Sequence, residues 1–318
     1  MNHTLACLRH LNAETWVSGA RIAEALDLSR ASVSTALAQA EGFGITLERK
    51  HGVGYRLTEP VDWLDTKVIQ RLLPRNGVLH VEVADRTDST NRQLLAAPAH
   101  GLALAAEWQD SGRGRLGRRW QGRLGASLMF SLAWSFPGGA PTLAGLPLAV
   151  GSIVAEALAE CGVGNIALKW PNDLLIGNAK TGGILIELTG DALGPAWAVI
   201  GIGLNLLPPA VEVNQVATGL TEHGLNVTRN DLLARLLEKL EHGLERFARN
   251  GFSEFRQQWE SRHAWQGLPV TLSGPDGSTQ AGIAAGVTAD GALRLETADK
   301  ELIIHAGDVS LRLAANQG

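Results

Sequence analysis

The segment Gly112-Arg113-Gly114-Arg115-Leu116-Gly117-Arg118-Arg119 constrains this chain more than any other. It carries the glycine spacing G-x-G-x-x-G of a dinucleotide loop, but that fold needs a helix directly after the loop and an acidic residue about 20 positions on. Here Leu128, Phe130, Leu132 and Trp134 follow with the alternation of a strand that has one buried face, and the next acidic residue is Glu156. The phosphate-loop pattern G-x-x-x-x-G-K-[ST] fails as well, because Arg118 and Arg119 stand where Lys and Ser/Thr belong. Both nucleotide folds built as strand, loop and helix are excluded.

What the loop offers is physical. Its glycines let backbone amides approach a ligand, and its arginines supply forked positive charge suited to carboxylate or phosphate oxygens. Residues 111–155 contain no Asp or Glu, while Arg113, Arg115, Arg118, Arg119 and Arg123 crowd its start. The net charge of -4 argues against coating nucleic acid by charge alone, yet it averages over unlike regions. An anionic ligand is expected, with the loop mobile until it binds.

A chain of 318 residues, 45% hydrophobic and 19% charged, has apolar material for more than one core. Disordered, collagenous and small disulfide-stapled classes are ruled out. Cys7 and Cys161 read as core residues of a protein from a reducing compartment. No apolar run is expected to span a membrane, since Gly, Pro or charge interrupts each, and the start lacks a secretory core. A cytoplasmic protein without a membrane partner is the expectation.

Ahead of the loop, Leu5, Leu8 and Leu11 give one helical stripe, and Ile22, Ala23 and Leu26 a second that Ser18 is placed to cap. Ser29 is placed to cap a third helix, with Val33, Ala36, Leu37 and Ala40 inward. Asp27 and Leu28 leave room only for a tight turn, which makes a helix-turn-helix. Residues 45–49 and 55–57 read as strands around His51-Gly52-Val53-Gly54, adding a wing. Arg30, Ser32, Ser34, Thr35 and Gln39 are expected to face a major groove, with Arg49, Lys50 and Arg56 meeting phosphates. A winged module that binds protein instead stays open, because residues 1–58 are nearly balanced in charge.

Glu59-Pro60 ends the wing and leads into a short helix near residues 65–73. Strands are expected at 78–83, 102–108, 127–134, 166–170, 183–188 and 197–202, and long helices at 146–161 and 231–247. Lys169-Trp170-Pro171-Asn172-Asp173 ends a strand and places a cation, an amide and a carboxylate in one loop. Such a carboxylate suits magnesium held through water, or a ribose. Lys180 opens a small-residue turn, Thr181-Gly182-Gly183. A lone lysine there is usually a surface residue, but beside a glycine-arginine loop it suits charge on a transferring phosphoryl group.

Taken in order, Asp88-Ser89-Thr90-Asn91, Glu107-Trp108-Gln109, the loop from Gly112 to Arg118, Lys169 to Asp173, Lys180 with Gly182-Gly183-Ile184-Leu185, and Gly203-Leu204-Asn205 resemble the motifs of biotin protein ligases. With the winged segment in front, the chain is similar to the bifunctional bacterial form, a ligase and biotin operon repressor in one polypeptide. The resemblance implies an α+β protein in three parts. Residues 1–60 would be a winged helix-turn-helix, 61–265 a class II synthetase-like mixed sheet with helices that binds biotin and ATP, and 266–318 an SH3-like β-barrel. Short strands at 269–272, 282–288, 293–297 and 301–305, with turns at Gly274-Pro275-Asp276-Gly277 and Asp290-Gly291, support that last part.

The resemblance further implies that biotin is joined to the α-phosphate of ATP with magnesium, then passed to a lysine of the biotin carboxyl carrier protein of acetyl-CoA carboxylase. Ser89, Thr90, Asn91 and Gln109 resemble the set around the biotin ring, and Arg113, Gly114 and Arg115 the segment that folds over biotin and the adenylate. Lys180 resembles the lysine between biotin's carboxylate and the α-phosphate, the main catalytic cation beside Arg115 and Arg118. Arg118, Lys169, Asn172 and Asn205 resemble nucleotide contacts, and Asp173 the participant in magnesium chemistry. Leu116, Ala179 and Val53 depart from the family pattern, each where a basic residue is common. Operator DNA and a homodimer formed with the adenylate are the partners implied for the repressor. A ligase whose winged module no longer reads DNA, and a lipoate-type acyl ligase, remain as alternatives.

Overall fold

The computed structural model describes residues 3–191, 194–209, 216–274, 276–307 and 309–314. Its first elements are α1 (Thr4–Arg9), α2 (Gly19–Leu26) and α3 (Arg30–Ala38). The Ser18 and Ser29 hydroxyls accept from the amides of Arg21 and Ser32, satisfying donors the helix starts leave open. Asp27 turns the chain between α2 and α3 at φ 53. β1 (Leu47–Lys50) and β2 (Gly54–Leu57) pair antiparallel as the wing, and Ile45 and Thr46, expected in its first strand, lie outside it.

The core under these helices does not close on itself. Leu8, Ile22, Val33, Leu37 and Leu57 are joined by Leu124, which lies just beyond the arginine loop. Trp108 packs edge-on against Phe43, with ring centroids 4.8 Å apart. Apolar burial therefore runs across the boundary expected near residue 60, and both ends of the arginine loop abut the winged module.

α4 (Thr66–Leu72) starts at Asp65, whose carboxylate accepts from the amides of Lys67 and Val68. A seven-stranded mixed sheet follows, in the order β3-β4-β5-β9-β8-β7-β6. Its strands are β3 (His80–Thr87), β4 (Leu102–Gln109), β5 (Ser127–Phe136), β6 (Ile166–Lys169), β7 (Asp173–Ile176), β8 (Ala179–Gly190) and β9 (Ala196–Asn205). Only β3 and β4 run parallel. α5 (Thr90–Ala96) covers one face, while α6 (Leu146–Glu160) and α7 (Arg229–Asn250) pack on the other.

Three expectations are corrected here. β5 is buried on both faces, Ser127, Met129, Ser131 and Ala133 included, because it sits mid-sheet under helices on either side. β7 was not expected, and β8 begins at Ala179, so Lys180 lies inside a strand rather than opening a turn. The stretch Ala140–Glu160 is long and apolar enough to cross a membrane, although Pro141, Gly145 and Gly151 interrupt it. In the fold 67% of that window is buried, against the sheet and α7, as in a core helix that is apolar all round.

After α8 (Arg256–Glu260), β10 (Pro269–Ser273), β11 (Thr279–Val287), β12 (Leu293–Glu296), β13 (Glu301–Ile304) and β14 (Ser310–Leu313) form the C-terminal part. They make a five-stranded antiparallel sheet in the order β13-β12-β11-β10-β14, the SH3-like piece. β14 goes beyond the strands read in the sequence, and Pro275 of the expected turn lies outside the described residues.

Candidate active site

A cavity of about 810 Å³ opens on the face of β5, β8 and β9 that α5 also covers. Its floor follows from strand register: Ser131 pairs with Gly201, and Met129 with Gly203, which pairs in turn with Gly183. A Cβ on Gly201 would lie 2.2 Å from Asn91 Oδ1, and one on Gly203 would lie 2.4 Å from the Trp120 ring. Only glycine lets these side chains lie flat on the sheet.

At one end, Thr90 donates from its amide to Gln109 Oε1 at 2.9 Å, and the Thr90 and Ser131 hydroxyl oxygens lie 2.7 Å apart. α5 and β4 thus bring Ser89, Thr90 and Gln109 together, with the Ser89 and Gln109 side chains lining the cavity. Asn91 differs. It accepts from Ser131 Oγ at 2.6 Å and donates to the Leu185 carbonyl and Glu187 Oε2, so it ties α5 to the sheet.

The arginine loop is held by its own backbone. Gly114 N donates to Arg118 O, Arg118 N to Arg115 O and Trp120 N to Gly112 O. Arg115 donates to Asn172 Oδ1 at 3.1 Å and to the Gly307 and Val309 carbonyls of the C-terminal part. Arg113 pairs with Glu187 at 2.9 Å, and Arg119 donates to the Asp110 carbonyl. Arg118 is exposed at the cavity edge.

At the other end, Asp173 lies between two lysines, with Oδ1 2.5 Å from Lys180 Nζ and Oδ2 3.3 Å from Lys169 Nζ. Lys180 is only 19% exposed in its side chain, against the expectation of a surface lysine. Strand register explains its placement. Asp173 pairs with Gly183 but Leu175 pairs with Lys180, so a bulge at this point adds a residue to β8. In a regular strand, residues three apart point to opposite faces; the bulge turns Lys180 onto the face of Asp173.

Burial works to raise the Asp173 pKa, but Lys180 and Lys169 together hold it below the ordinary carboxylate range. Burial pushes Lys169 down from the ordinary lysine range, against the pull of Asp173. Asn205 is buried and lines the cavity; Asn172 donates to the Ile184 carbonyl at 2.8 Å, fixing the strand-end turn. Among the described residues, no group of three or more His, Cys, Asp or Glu side chains is placed to hold a metal. With both oxygens of Asp173 accepting from ammonium groups, the donor set does not fit a metal held by the chain itself.

Sequence reading missed Trp120, Trp265 and Arg312, which all line the cavity. Among the described residues the buried Trp120 and Trp265 indole N–H groups have no hydrogen-bond partner, and Lys169 Nζ lies 4.9 Å from the Trp265 ring. Gly183 and Gly203 were the available sign of Trp120, since small residues on neighbouring strands leave room for a large ring.

Residues 83–205 match the Biotin/lipoate A/B protein ligase family, 267–312 the Biotin protein ligase C terminal domain and 4–56 an HTH domain. The Bifunctional ligase/repressor BirA of Escherichia coli is 35% identical over 300 residues, 93% of each chain. This chain belongs to the biotin protein ligase family. A further member, the Biotin--[acetyl-CoA-carboxylase] ligase of Mycobacterium tuberculosis, is 33% identical and covers 74% of this chain and 90% of its own. The solved biotin protein ligase of Aquifex aeolicus, in complex with biotin and ATP, superposes with a TM-score of 0.65 at 31% identity, over 74% of this chain and 99% of that one.

This ligase-family chain presents Arg30, Ser34 and Thr35 exposed on α3, and Lys50 exposed on the wing. Two residues expected at phosphates have partners within the chain. Arg49 donates to the Leu37 carbonyl at the end of α3, and Arg56 pairs with Glu48 at 2.6 Å while lying over the Trp16 ring. Ser32 shares its hydroxyl with Ser29 at 2.8 Å and serves the helix start.

Proposed function

We propose that this chain activates biotin with ATP, transfers it to a lysine of a biotin carboxyl carrier protein, and represses biotin synthesis genes through its winged module. The observation that carries the ligase reading is one cavity joining the Thr90–Gln109 polar set to the Lys180–Asp173–Lys169 cluster. The polar end suits a ureido ring and the cationic end a carboxylate beside a phosphate.

In the first step a biotin carboxylate oxygen bonds to the α-phosphorus of ATP, and the bond to the pyrophosphate oxygen breaks. In the second, a carrier lysine amine attacks the acyl carbon, AMP leaves with the bridging oxygen, and the amine loses a proton. Ser89, Thr90 and Gln109 are assigned to biotin, with Arg113 and Gly114 at the loop over it. Lys180 and Arg118 meet the charge that develops at the α-phosphate. Lys169, Asn172 and Asn205 are assigned to the nucleotide side, where Asn172 acts through its bond to Arg115. Magnesium would arrive with the phosphates of ATP and neutralise part of their charge. A cytoplasmic setting, where ATP and the carrier are at hand, completes the reading.

The decisive experiment is exchange of labelled pyrophosphate into ATP, dependent on biotin and run beside lipoate. Exchange with biotin alone supports the proposal; exchange with lipoate alone replaces it.

Arg115→Ala removes a charge-assisted contact to Asn172 and the tie to the C-terminal part. Loss of a charged hydrogen bond is worth about 1.5–3 kcal/mol, so release of the adenylate is expected to quicken roughly 10–100-fold. Stopped-flow release of biotinyl adenylate measures it, and an unchanged rate removes Arg115 from retention.

For the repressor, Arg30→Ala is expected to weaken operator binding and relax sequence preference, while Lys50→Ala weakens it evenly and lowers the salt slope by about one ion. Titration of a two-half-site operator at several salt concentrations separates the two. No binding by the wild type at low salt favours a ligase with a protein-binding wing, which the near charge balance of residues 1–58 also permits.

A further inference from the structure

A buried carboxylate in a nucleotide site invites a metal, yet Asp173 is arranged differently. It lines the cavity with its side chain 12% exposed, and each oxygen faces a lysine ammonium. Its backbone pairs with Lys169 on one side and Gly183 on the other. Lys180 packs over Gly183, where a Cβ would meet Lys180 Cε in ordinary contact at 3.4 Å. The bulge in β8 is needed to bring Lys180 to this face at all. Strand register and a bulge thus converge on one carboxylate between two ammonium groups.

We propose that Asp173 is a positioning residue, an internal counter-anion that holds Lys180 and Lys169 where substrate anions will bind, and that it ligates no metal. The inference rests on the proposed adenylation. Two ammonium groups in a recess with nothing between them would repel and swing toward solvent. Asp173 keeps them convergent in the empty site, so biotin's carboxylate and the α-phosphate meet cations already aimed inward, with little reorganisation left for the reaction. Lys180 is long enough to turn from the carboxylate toward an incoming oxygen while Lys169 stays with Asp173, packed over the Trp265 ring.

Asp173 acts through Lys180, so the test is a double-mutant cycle on biotin-dependent pyrophosphate exchange, with magnesium titrated in each variant. Asp173→Asn is expected to lower kcat roughly 10–100-fold, less than loss of Lys180 itself, because the lysine keeps its charge and loses its placement. The KM for biotin and the magnesium midpoint are expected to stay within twofold of wild type. In Lys180→Met, adding Asp173→Asn is expected to cause less than a threefold further loss. A magnesium midpoint raised tenfold in Asp173→Asn, wild-type kcat in that variant, or a fully additive double mutant each overturns the proposal.

Should Asp173→Asn fail to fold, the wild type still decides the metal question. Manganese titrated into the ligand-free protein and followed by electron paramagnetic resonance is expected to stay free at 100 μM, whereas stoichiometric binding that biotin and ATP do not require overturns the proposal. Absence of biotin-dependent exchange in the wild type sinks the adenylation reading itself, a result distinct from every outcome of the cycle.

Discussion

Arg229→Met is expected to cost about 3–5 kcal/mol of folding stability, the range for breaking a buried ion pair from one side. Arg229 is the first residue of α7, and its side chain and that of Glu107 are both wholly buried, 2.8 Å apart. Arg229 also donates to the Asp62 carbonyl, its amide donates to the Asp62 carboxylate, and Glu107 accepts from Leu64 N at 2.7 Å. Arg9 of the winged module reaches Glu107 at 3.5 Å while pairing with Asp85. One carboxylate therefore ties α1, the connecting segment, β4 and α7 together, and losing Arg229 strands its charge in the interior.

Denaturant midpoints measure this, with Arg246→Ala as the surface control. Arg246 pairs with Glu254 in partly exposed surroundings and is expected to cost below about 1 kcal/mol. Restoring much of the loss in a Glu107→Leu, Arg229→Met double variant would show that the single variant suffers from an unpaired charge. A loss below about 1 kcal/mol in Arg229→Met would mean that water reaches the pair.

Lys180→Ala is expected to lower kcat for biotin-dependent pyrophosphate exchange by roughly 10²–10³-fold, the cost of removing one aligned charge-stabilising group. Its position in β8 adds a second effect. Asp173 loses its nearer partner and keeps Lys169 alone at 3.3 Å, so some stability goes with the activity. Lys180→Arg separates the two: it restores a charge beside Asp173, but its fork cannot occupy the same point, and most of the rate loss is expected to remain. Exchange kinetics beside thermal melts check this, and normal turnover in Lys180→Ala excludes the lysine from the chemistry.

Much of the site was legible because its signals are local. The helix caps at Ser18 and Ser29, the arginine loop, and the Thr90, Gln109 and Lys180 motifs each occupy a few consecutive residues. Commitments were not legible. Arg49, Arg56, Arg113 and Asn91 look free in the sequence, but each is engaged by a distant or cross-strand partner. The apolar length of Ala140–Glu160 was not legible either, since its apolar faces are explained only by the sheet and α7 around it.

By itself the sequence determined α1 to α4, α6, α7 and the wing, the exclusion of helix-anchored phosphate loops, and the residue types gathered for an anionic ligand. Periodicity and capping are interactions between near neighbours, so they survive without knowledge of the fold. Tertiary structure alone decided that β5 is buried on both faces, that Leu124 completes the winged core, and that a bulge swings Lys180 beside Asp173. Each depends on strands or helices distant in sequence, and for Lys180 a shift of one residue in the pairing of β8 would send the side chain to the opposite face.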